Sequence, residues 1–132
     1  MANTFHCSLV TPERAVFSAD VTYADLPAHD GQMGVAPGRA AMLVQLGIGK
    51  LRLELADGGA KQFVLDGGYA QMEAGQLTLL CEKAWADDEI DAGDARAQLD
   101  EAEGLPMSNT NEVEKRTHDV SVAHQLVALS NN

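Results

Sequence analysis

The stretch that decides the fold reads Lys50-Leu51-Arg52-Leu53-Glu54-Leu55-Ala56-Asp57-Gly58-Gly59. Its first six residues alternate strictly between polar and apolar side chains, which is the period of a β-strand with one buried face. The aspartate and two glycines that follow are suited to a tight turn with positive φ. The stretch therefore predicts a strand that ends in a hairpin turn.

The same alternation occurs on both sides of this stretch. Upstream the apolar positions are Phe5, Cys7 and Leu9, and downstream they are Leu77 and Leu79, preceded by a second turn at residues 73–76. Short strands spaced about ten residues apart are typical of an antiparallel sandwich or barrel. We therefore expect residues 1–86 to form an all-β domain.

The composition changes near Trp85. Residues 1–86 carry nine acidic and six basic side chains, a net charge of −3, whereas residues 87–132 carry eleven and three, a net charge of −8. Ten of the twelve glycines precede this point, so turns become rare after it. The second part, residues 87–132, is predicted to be a separate helical domain.

Two helices are expected in that second part. Ala92, Ala95, Leu99 and Ala102 recur at helical spacing, and a helix is predicted over about residues 88–103. A second helix is predicted over about 112–129, with Asn111 and Glu114 at the spacing of a capping box.

The second helix is expected to use one apolar stripe for packing. Val113, Val120 and Val127 are seven residues apart, with Ala123 and Leu126 beside them. Such a stripe can pack against the first helix, so an antiparallel helical hairpin is predicted.

Charge and composition exclude several classes of protein. A formal charge of −11 opposes binding to nucleic acid or to an anionic bilayer, and the sequence has no apolar run long enough to span a membrane. We therefore expect a soluble intracellular chain without membrane insertion. Cys7 and Cys81 are too few for a disulfide framework and are interpreted as buried apolar residues.

The sequence offers no recognisable catalytic, metal or cofactor site. It contains no phosphate-binding loop and no nucleophile elbow, and its four histidines lack the spacing of metal ligands. His118 and Asp119 are adjacent and should point to different sides of a helix, so they are interpreted as solvated polar groups. The acidic residues after Ala86 are interpreted as N-terminal helix electrostatics.

One stretch, residues 30–39, has an unusual composition: Asp30-Gly31-Gln32-Met33-Gly34-Val35-Ala36-Pro37-Gly38-Arg39. Its three glycines and one proline constrain the backbone while it keeps two apolar side chains. On composition alone, a surface built for contact and an ordinary strand connection are equally compatible with it.

The residues in order resemble the epsilon subunit of bacterial F-type ATP synthases, which is equivalent to the mitochondrial delta subunit. The resemblance rests on five features: Val10-Thr11-Pro12-Glu13-Arg14, Val16-Phe17-Ser18, the glycine-rich stretch 31–39, Val64-Leu65-Asp66-Gly67-Gly68-Tyr69, and the order of a β-domain before two helices. It covers nearly the whole chain.

The resemblance implies a sandwich of about ten short antiparallel strands followed by a two-helix hairpin. It also implies a non-catalytic rotor subunit on the cytoplasmic side of the bacterial inner membrane, peripheral to it, which binds the gamma subunit and the c-ring. The interface is then expected at Gly31, Gln32, Met33, Gly34, Val35, Pro37, Gly38 and Arg39.

Two departures from the family pattern affect what is expected. Gln32 stands where many relatives carry an acid, so a charged contact with the ring would be replaced by a neutral one. Some relatives bind ATP through Ile/Leu-Asp-x-x-Arg-Ala, whereas here four residues separate Ile90-Asp91 from Arg96. On a helix this turns Asp91 and Arg96 roughly 140° apart, so weak ATP binding or none is expected.

The helices are also the part that would reach the beta subunit to inhibit hydrolysis. Because residues 87–132 are strongly acidic, their approach to an acidic segment is electrostatically unfavourable. We expect a weak or absent inhibitory role. An ATP-sensing regulatory module is the alternative.

Overall fold

The computed structural model describes residues 3–130. Within this range the chain forms seven β-strands, one 3-10 turn and two α-helices. The strands are β1 (Phe5–Val10), β2 (Ala15–Ala28), β3 (Gly31–Val35), β4 (Met42–Leu55), β5 (Ala60–Glu73), β6 (Gln76–Leu80) and β7 (Lys83–Ala86). The 3-10 turn is Asp87–Glu89, and the helices are α1 (Ala92–Glu103) and α2 (Thr110–Ser130).

Five strands close into a flattened barrel. The order β1-β6-β5-β4-β2 is closed by pairing of β2 back onto β1, while β3 extends from β2 and β7 pairs with β5. The all-β class is as expected. The expected count of about ten short strands is wrong, because β2, β4 and β5 are each 14 residues long and take part in several pairings.

The pairing of β1 with β6 is parallel, which corrects the expectation of antiparallel strands throughout. It arises because the closed ring has five strands: the other four pairings are antiparallel, so the strands on either side of the fifth must run in the same direction. The inward residues of both strands enter the same core: Cys7, Leu9, Leu77 and Leu79 are fully buried. The alternation in these strands is therefore confirmed.

Both expected turns are present. Gly58 has a φ of 98°, and the Gly59 amide donates to Asp57 Oδ1 at 3.0 Å. In the second turn Ala74 and Gly75 have φ values of 51° and 78°. The two consecutive positive φ values of this second turn match the right-handed twist of the two strands that it joins.

The helical part begins immediately after β7 and is tied to the barrel by charges. Lys61 Nζ lies 3.0 Å from Asp88 and 3.6 Å from Asp87, and Arg14 lies 3.5 Å from Glu89. The acidic residues after Ala86 therefore pair with barrel cations, which the interpretation as helix electrostatics alone did not include.

The first helix begins later than predicted, since Asp91 is its N-cap and residues 88–91 are not α-helical. The second is longer than predicted and spans 21 residues. Its capping pair is Asn109 and Glu112, because Asn109 Oδ1 accepts from the Glu112 amide at 2.9 Å and Asn109 Nδ2 donates to Glu112 Oε1 at 3.0 Å. The predicted cap at Asn111 and Glu114 is wrong by two residues.

The helices lie folded against the barrel. A second apolar cluster, which we call the docking cluster, joins α1 and α2 to β5 through Val64, Ala95, Val122, Leu126 and Leu129. The predicted stripe is confirmed in part: Ala123 and Leu126 are buried and Val127 packs against the docking cluster. It is wrong in its first half, since Val113 is 42% exposed and Val120 is only half-buried.

Candidate functional site

The β2–β3 hairpin carries the glycine-rich stretch singled out in the sequence. Ala28 pairs with Gly31 across a turn at His29 and Asp30, and Gly31 has a φ of 134°. The His29 amide donates to the Gln45 carbonyl at 2.8 Å, which fixes this turn beside β4. The hairpin is an ordered, edge-exposed part of the barrel.

Its side chains do not all face the same way. Gln32 is exposed and donates from Nε2 to the Lys50 carbonyl at 3.4 Å, whereas Met33 is half-buried opposite Leu26. Val35 is fully buried in the main core. Val35 therefore supports the hairpin from inside and cannot touch a partner in this conformation.

Two glycines of this stretch meet different constraints. Gly38 has a φ of 84°, in a turn where the Arg39 amide donates to the Ala36 carbonyl at 3.3 Å. Gly34 has no positive φ; a Cβ there would overlap the hydroxyl end of the Tyr23 side chain, which would have to move. Pro37 is half-buried and Arg39 is exposed.

Beside the hairpin turn lies an exposed apolar surface that sequence reasoning missed. Leu43 is 71% exposed, Tyr69 is 53% exposed and Leu80 is 54% exposed. Gln45 pairs with Tyr69, and Tyr69 pairs with Leu80. Leu43 lies two residues before Gln45 and therefore on the same face of β4. Leu43, Tyr69 and Leu80 thus share the outer face of three adjacent strands. We call Leu43, Tyr69 and Leu80 the outer patch.

The outer patch borders a cleft of about 430 Å³. Its walls come from the end of β1 and from β4, β5 and β6, and they include Val10, Pro12, Gln45, Tyr69 and Leu80. Cys81 lies in its floor, and burial raises the pKa of that thiol to about 12. The cleft is thus lined by apolar, amide and neutral thiol groups, with Glu82 at its rim.

A sequence signal for the outer patch existed. In Leu77-Thr78-Leu79-Leu80 the alternation assigns Leu77 and Leu79 to the core, so Leu80 must point outward. One such residue is ordinary, but several large apolar residues on the same outer face form an exposed patch, which is the signal of a contact surface. Leu43 gives the same signal, because it interrupts the alternation at the start of β4.

The three residues considered for nucleotide binding are only partly brought together. Ile90 and Asp91 line a cleft of about 180 Å³ between α1, α2 and the barrel, together with Glu89 and Asp94. Arg96 is exposed and is not among the residues that line it. Asp91 Oδ1 already accepts from the Asp94 amide at 2.9 Å, so its carboxylate acts as the N-cap of α1.

His118 is not the isolated polar group that its position suggested. Its Nδ1 lies 2.8 Å from Asp119 Oδ1, and its Nε2 lies 2.9 Å and 3.0 Å from the two carboxylate oxygens of Asp66 on β5. Adjacent positions on a helix did not keep these groups apart, because one ring nitrogen contacts the next residue, Asp119, while the other contacts Asp66 on the barrel. Hydrogen bonds to Asp119 and then to Asp66 raise the pKa of His118.

Within residues 3–130, no group of three or more histidine, cysteine or acidic side chains is arranged to hold a metal ion. Neither α1 nor α2 is long and apolar enough to cross a membrane. The exposed features that remain as candidates for function are the hairpin, the outer patch and the helical pair.

Comparison with known proteins identifies the family. A family model described as the β-sandwich domain of the ATP synthase delta/epsilon chain matches residues 4–87. The ATP synthase epsilon chain of Rhodopirellula baltica is 37% identical over 111 residues, which are 84% of this chain and 86% of that one. The epsilon chain of Brucella suis is 32% identical over 129 residues, 98% of this chain and 95% of its relative. The chain belongs to the ATP synthase epsilon-chain family.

Solved structures share the fold of this epsilon-family chain. One chain of the Euglena gracilis mitochondrial ATP synthase, in a structure of OSCP, F1 and c-ring, superposes with a TM-score of 0.84 at 21% identity. It matches 97% of this chain and 82% of its own length. A chain from the central stalk and c-ring of the Tetrahymena thermophila enzyme superposes with a TM-score of 0.69 at 14% identity, over 95% of both chains. The fold of a barrel followed by two helices therefore recurs in solved structures.

Proposed function

We propose that this chain is a non-catalytic rotor subunit of an F-type ATP synthase, which binds the gamma subunit and the c-ring and couples proton translocation to ATP synthesis. In this role residues 1–86 carry the partner contacts and residues 87–132 form an accessory helical domain. The subunit acts peripherally, on the cytoplasmic side of the bacterial inner membrane.

The observation that carries this proposal is the juxtaposition of the hairpin with the outer patch. The His29 amide holds the hairpin turn against Gln45, whose neighbour across the strands is Tyr69. The polar, glycine-rich stretch of the hairpin thus adjoins the outer patch, an apolar face formed by three large side chains. Such a combination suits a subunit held between two partners, one polar and one apolar at the contact.

The two surfaces differ in chemistry, and each suits a different partner. The outer patch and its cleft suit an apolar contact with the gamma subunit, because burying large side chains supplies most of the binding energy at such an interface. The exposed hairpin residues Gly31, Gln32, Gly38 and Arg39 suit the polar loops of the c-ring, with Gln32 as a neutral hydrogen-bonding group.

The barrel is built to transmit force without doing chemistry. Burial raises the pKa of Cys7, like that of Cys81, to about 12, so neither thiol is available as a nucleophile near neutral pH. Closure of the barrel leaves little freedom for one face to move against the other.

ATP sensing by the helices is the weaker candidate. Asp91 is engaged as a helix cap, and the cleft beside it presents the carboxylates of Glu89 and Asp94, which would repel phosphate groups. A contact of the helices with the beta subunit stays a prediction of the same kind.

The test replaces one residue of the outer patch by a charge. An affinity-tagged chain, produced in a bacterium in which it replaces the resident epsilon chain, is expected to co-purify from membranes with gamma and the c-ring. Leu43→Asp should lower this recovery and ATP-driven proton pumping by roughly tenfold or more, because a charge would be buried at the contact.

Met107→Asp is the matched control. Met107 is 60% exposed in the connection between α1 and α2, far along the chain from the outer patch, so its replacement should leave recovery and pumping unchanged. Normal recovery and pumping with Leu43→Asp would refute the proposed interface. Failure of the unaltered chain to recover gamma would refute the proposed function itself.

A further inference from the structure

We propose that His118 is a proton-dependent latch: its doubly protonated ring holds the helical hairpin on the barrel by bridging Asp119 and Asp66, and loss of one proton loosens the docking. The three residues come from two elements, since His118 and Asp119 belong to α2 and Asp66 belongs to β5.

The geometry requires the charged ring. An ionised carboxylate can only accept a hydrogen bond, and a neutral imidazole has a single N–H group. Here both ring nitrogens lie within 3.0 Å of carboxylate oxygens. Both contacts are therefore attractive only when both nitrogens carry protons.

The two contacts differ in what they connect. Asp119 belongs to the same helix as His118. Lys115 Nζ donates a hydrogen bond to its carboxylate at 2.6 Å, which also lowers the pKa of Asp119. Loss of one proton removes the charge of the ring and leaves one of its nitrogens with a lone pair that faces a carboxylate. A ring protonated at Nδ1 turns this lone pair to Asp66, and a ring protonated at Nε2 keeps only an uncharged, weaker hydrogen bond to Asp66. With either tautomer, deprotonation weakens the contact between helix and barrel.

No other charged group meets the ring within residues 3–130. From α2 it faces Asp119, with Lys115 behind, and from β5 it faces Asp66. On the strands next to β5, the register partners of Asp66 are Ile48 on β4, which is apolar, and Lys83 on β7. No hydrogen bond or ion pair joins α1 (Ala92–Glu103) to His118.

The latch adds a polar contact to the small apolar cluster through which the helices dock on the barrel. The docking cluster is separate from the main core, and α2 contributes Val122, Leu126 and Leu129 to it. Val122 follows His118 by four positions, about one helical turn, so the latch fixes the turn of α2 just before its buried stretch begins. Its loss should release the helix without disturbing the barrel.

The sign of the pH dependence follows from the raised pKa of His118. Because the folded-state pKa lies above the ordinary value of 6.5, the stabilisation is fully present below pH 6.5 and is lost as pH rises through the raised pKa. Alkaline conditions therefore favour the released hairpin.

Amide hydrogen exchange of α2 in the full chain tests the latch. At each pH the exchange rates of the unaltered chain and of His118→Gln are compared, so that the intrinsic pH dependence of exchange cancels. The unaltered chain should be protected roughly two- to tenfold more than His118→Gln at about pH 6, as expected for partly exposed ion pairs, and equally at about pH 9. Core amides of β4 should not differ.

Three further measurements make the result decisive. His124→Gln removes an exposed histidine of the same helix and should behave as the unaltered chain. His118→Arg keeps a positive charge and should stay protected at both pH values. In a nuclear magnetic resonance titration, Asp66→Asn should lower the pKa of His118.

A protection ratio of one between the unaltered chain and His118→Gln at about pH 6 would overturn the proposal. An equal loss of protection in His124→Gln would also overturn it. Trp85, the single tryptophan of the chain, packs against the docking cluster, so its fluorescence provides an independent report of release.

Discussion

Gly67 and Gly68 are adjacent in β5, but their surroundings differ. Their φ values are 68° and 117°, at the point where β5 stops pairing with β7 and begins to pair with β6. A Cβ on Gly67 would meet open space, whereas one on Gly68 would collide with the Leu80 carbonyl and lie 2.8 Å from Cys81 Cα. Backbone cannot move aside as a side chain can.

Gly68→Ala should therefore destabilise the barrel far more than Gly67→Ala. Gly67→Ala should cost about 1 kcal/mol, the usual penalty for positive φ in an L-residue. Gly68→Ala should cost at least about 3 kcal/mol, because strand β6 must also shift. Urea unfolding of the two variants measures the difference, and equal midpoints would contradict the expected role of Gly68.

At this scale the sequence predicts burial well and steric detail poorly. Strict alternation was enough to place Leu51 and Leu53 in the core. It was insufficient for Gly34, which lies against the hydroxyl end of Tyr23 eleven residues earlier, a contact that no local pattern encodes.

Helix α2 begins at a cap that uses both ends of a side-chain amide. Asn109 accepts from the Glu112 amide and donates to the Glu112 carboxylate, which also accepts from the Ser108 amide at 3.2 Å. Two free backbone donors at the helix start are thereby satisfied. Asn111, two residues later, is already inside the helix and exposed.

Asn109→Ala should lower the free energy of unfolding by about 1 kcal/mol, the usual cost of losing an N-cap. Asn111→Ala is the matched control and should be neutral or slightly stabilising, because alanine favours a helical interior position. Circular dichroism during thermal unfolding compares them. A greater loss from Asn111→Ala would restore the cap predicted from sequence.

The elements were predictable in kind and order, whereas their ends were not. Two candidate caps, Asn109-x-x-Glu112 and Asn111-x-x-Glu114, have the same spacing, and tertiary contacts decide between them. The expectation of short strands failed for a related reason. Glycines in β4 and β5 bend the strands without ending them, because pairing with neighbours continues through the bend.

The whole molecule is held by two cores of unequal size. The main core draws its buried residues from Phe5 to Ala86, and the docking cluster alone depends on α1 and α2. Helix α2 is longer than expected, roughly 32 Å, but the helical domain remains strongly acidic. The length of α2 alone is therefore not enough to predict that it inhibits ATP hydrolysis.

Removal of residues 88–132 should leave proton-coupled ATP synthesis largely intact and ATP hydrolysis little changed. The truncation removes no residue of the main core, although it uncovers Val64, which the helices now bury completely. Hydrolysis by membranes that carry the full-length or the truncated chain is the comparison. A several-fold rise on truncation would mean that the helices inhibit.

The parallel pairing of β1 with β6 has a consequence for the order in which the chain can fold. The strand formed by Phe5–Val10 finds one neighbour at once in β2, but its other neighbour, β6, ends only at Leu80. During synthesis the growing polypeptide therefore carries an open strand edge until about eighty residues have left the ribosome. We therefore expect the barrel to close late, because this pairing joins residues about seventy positions apart, such as His6 and Gln76, after all the other strands of the ring have been synthesised.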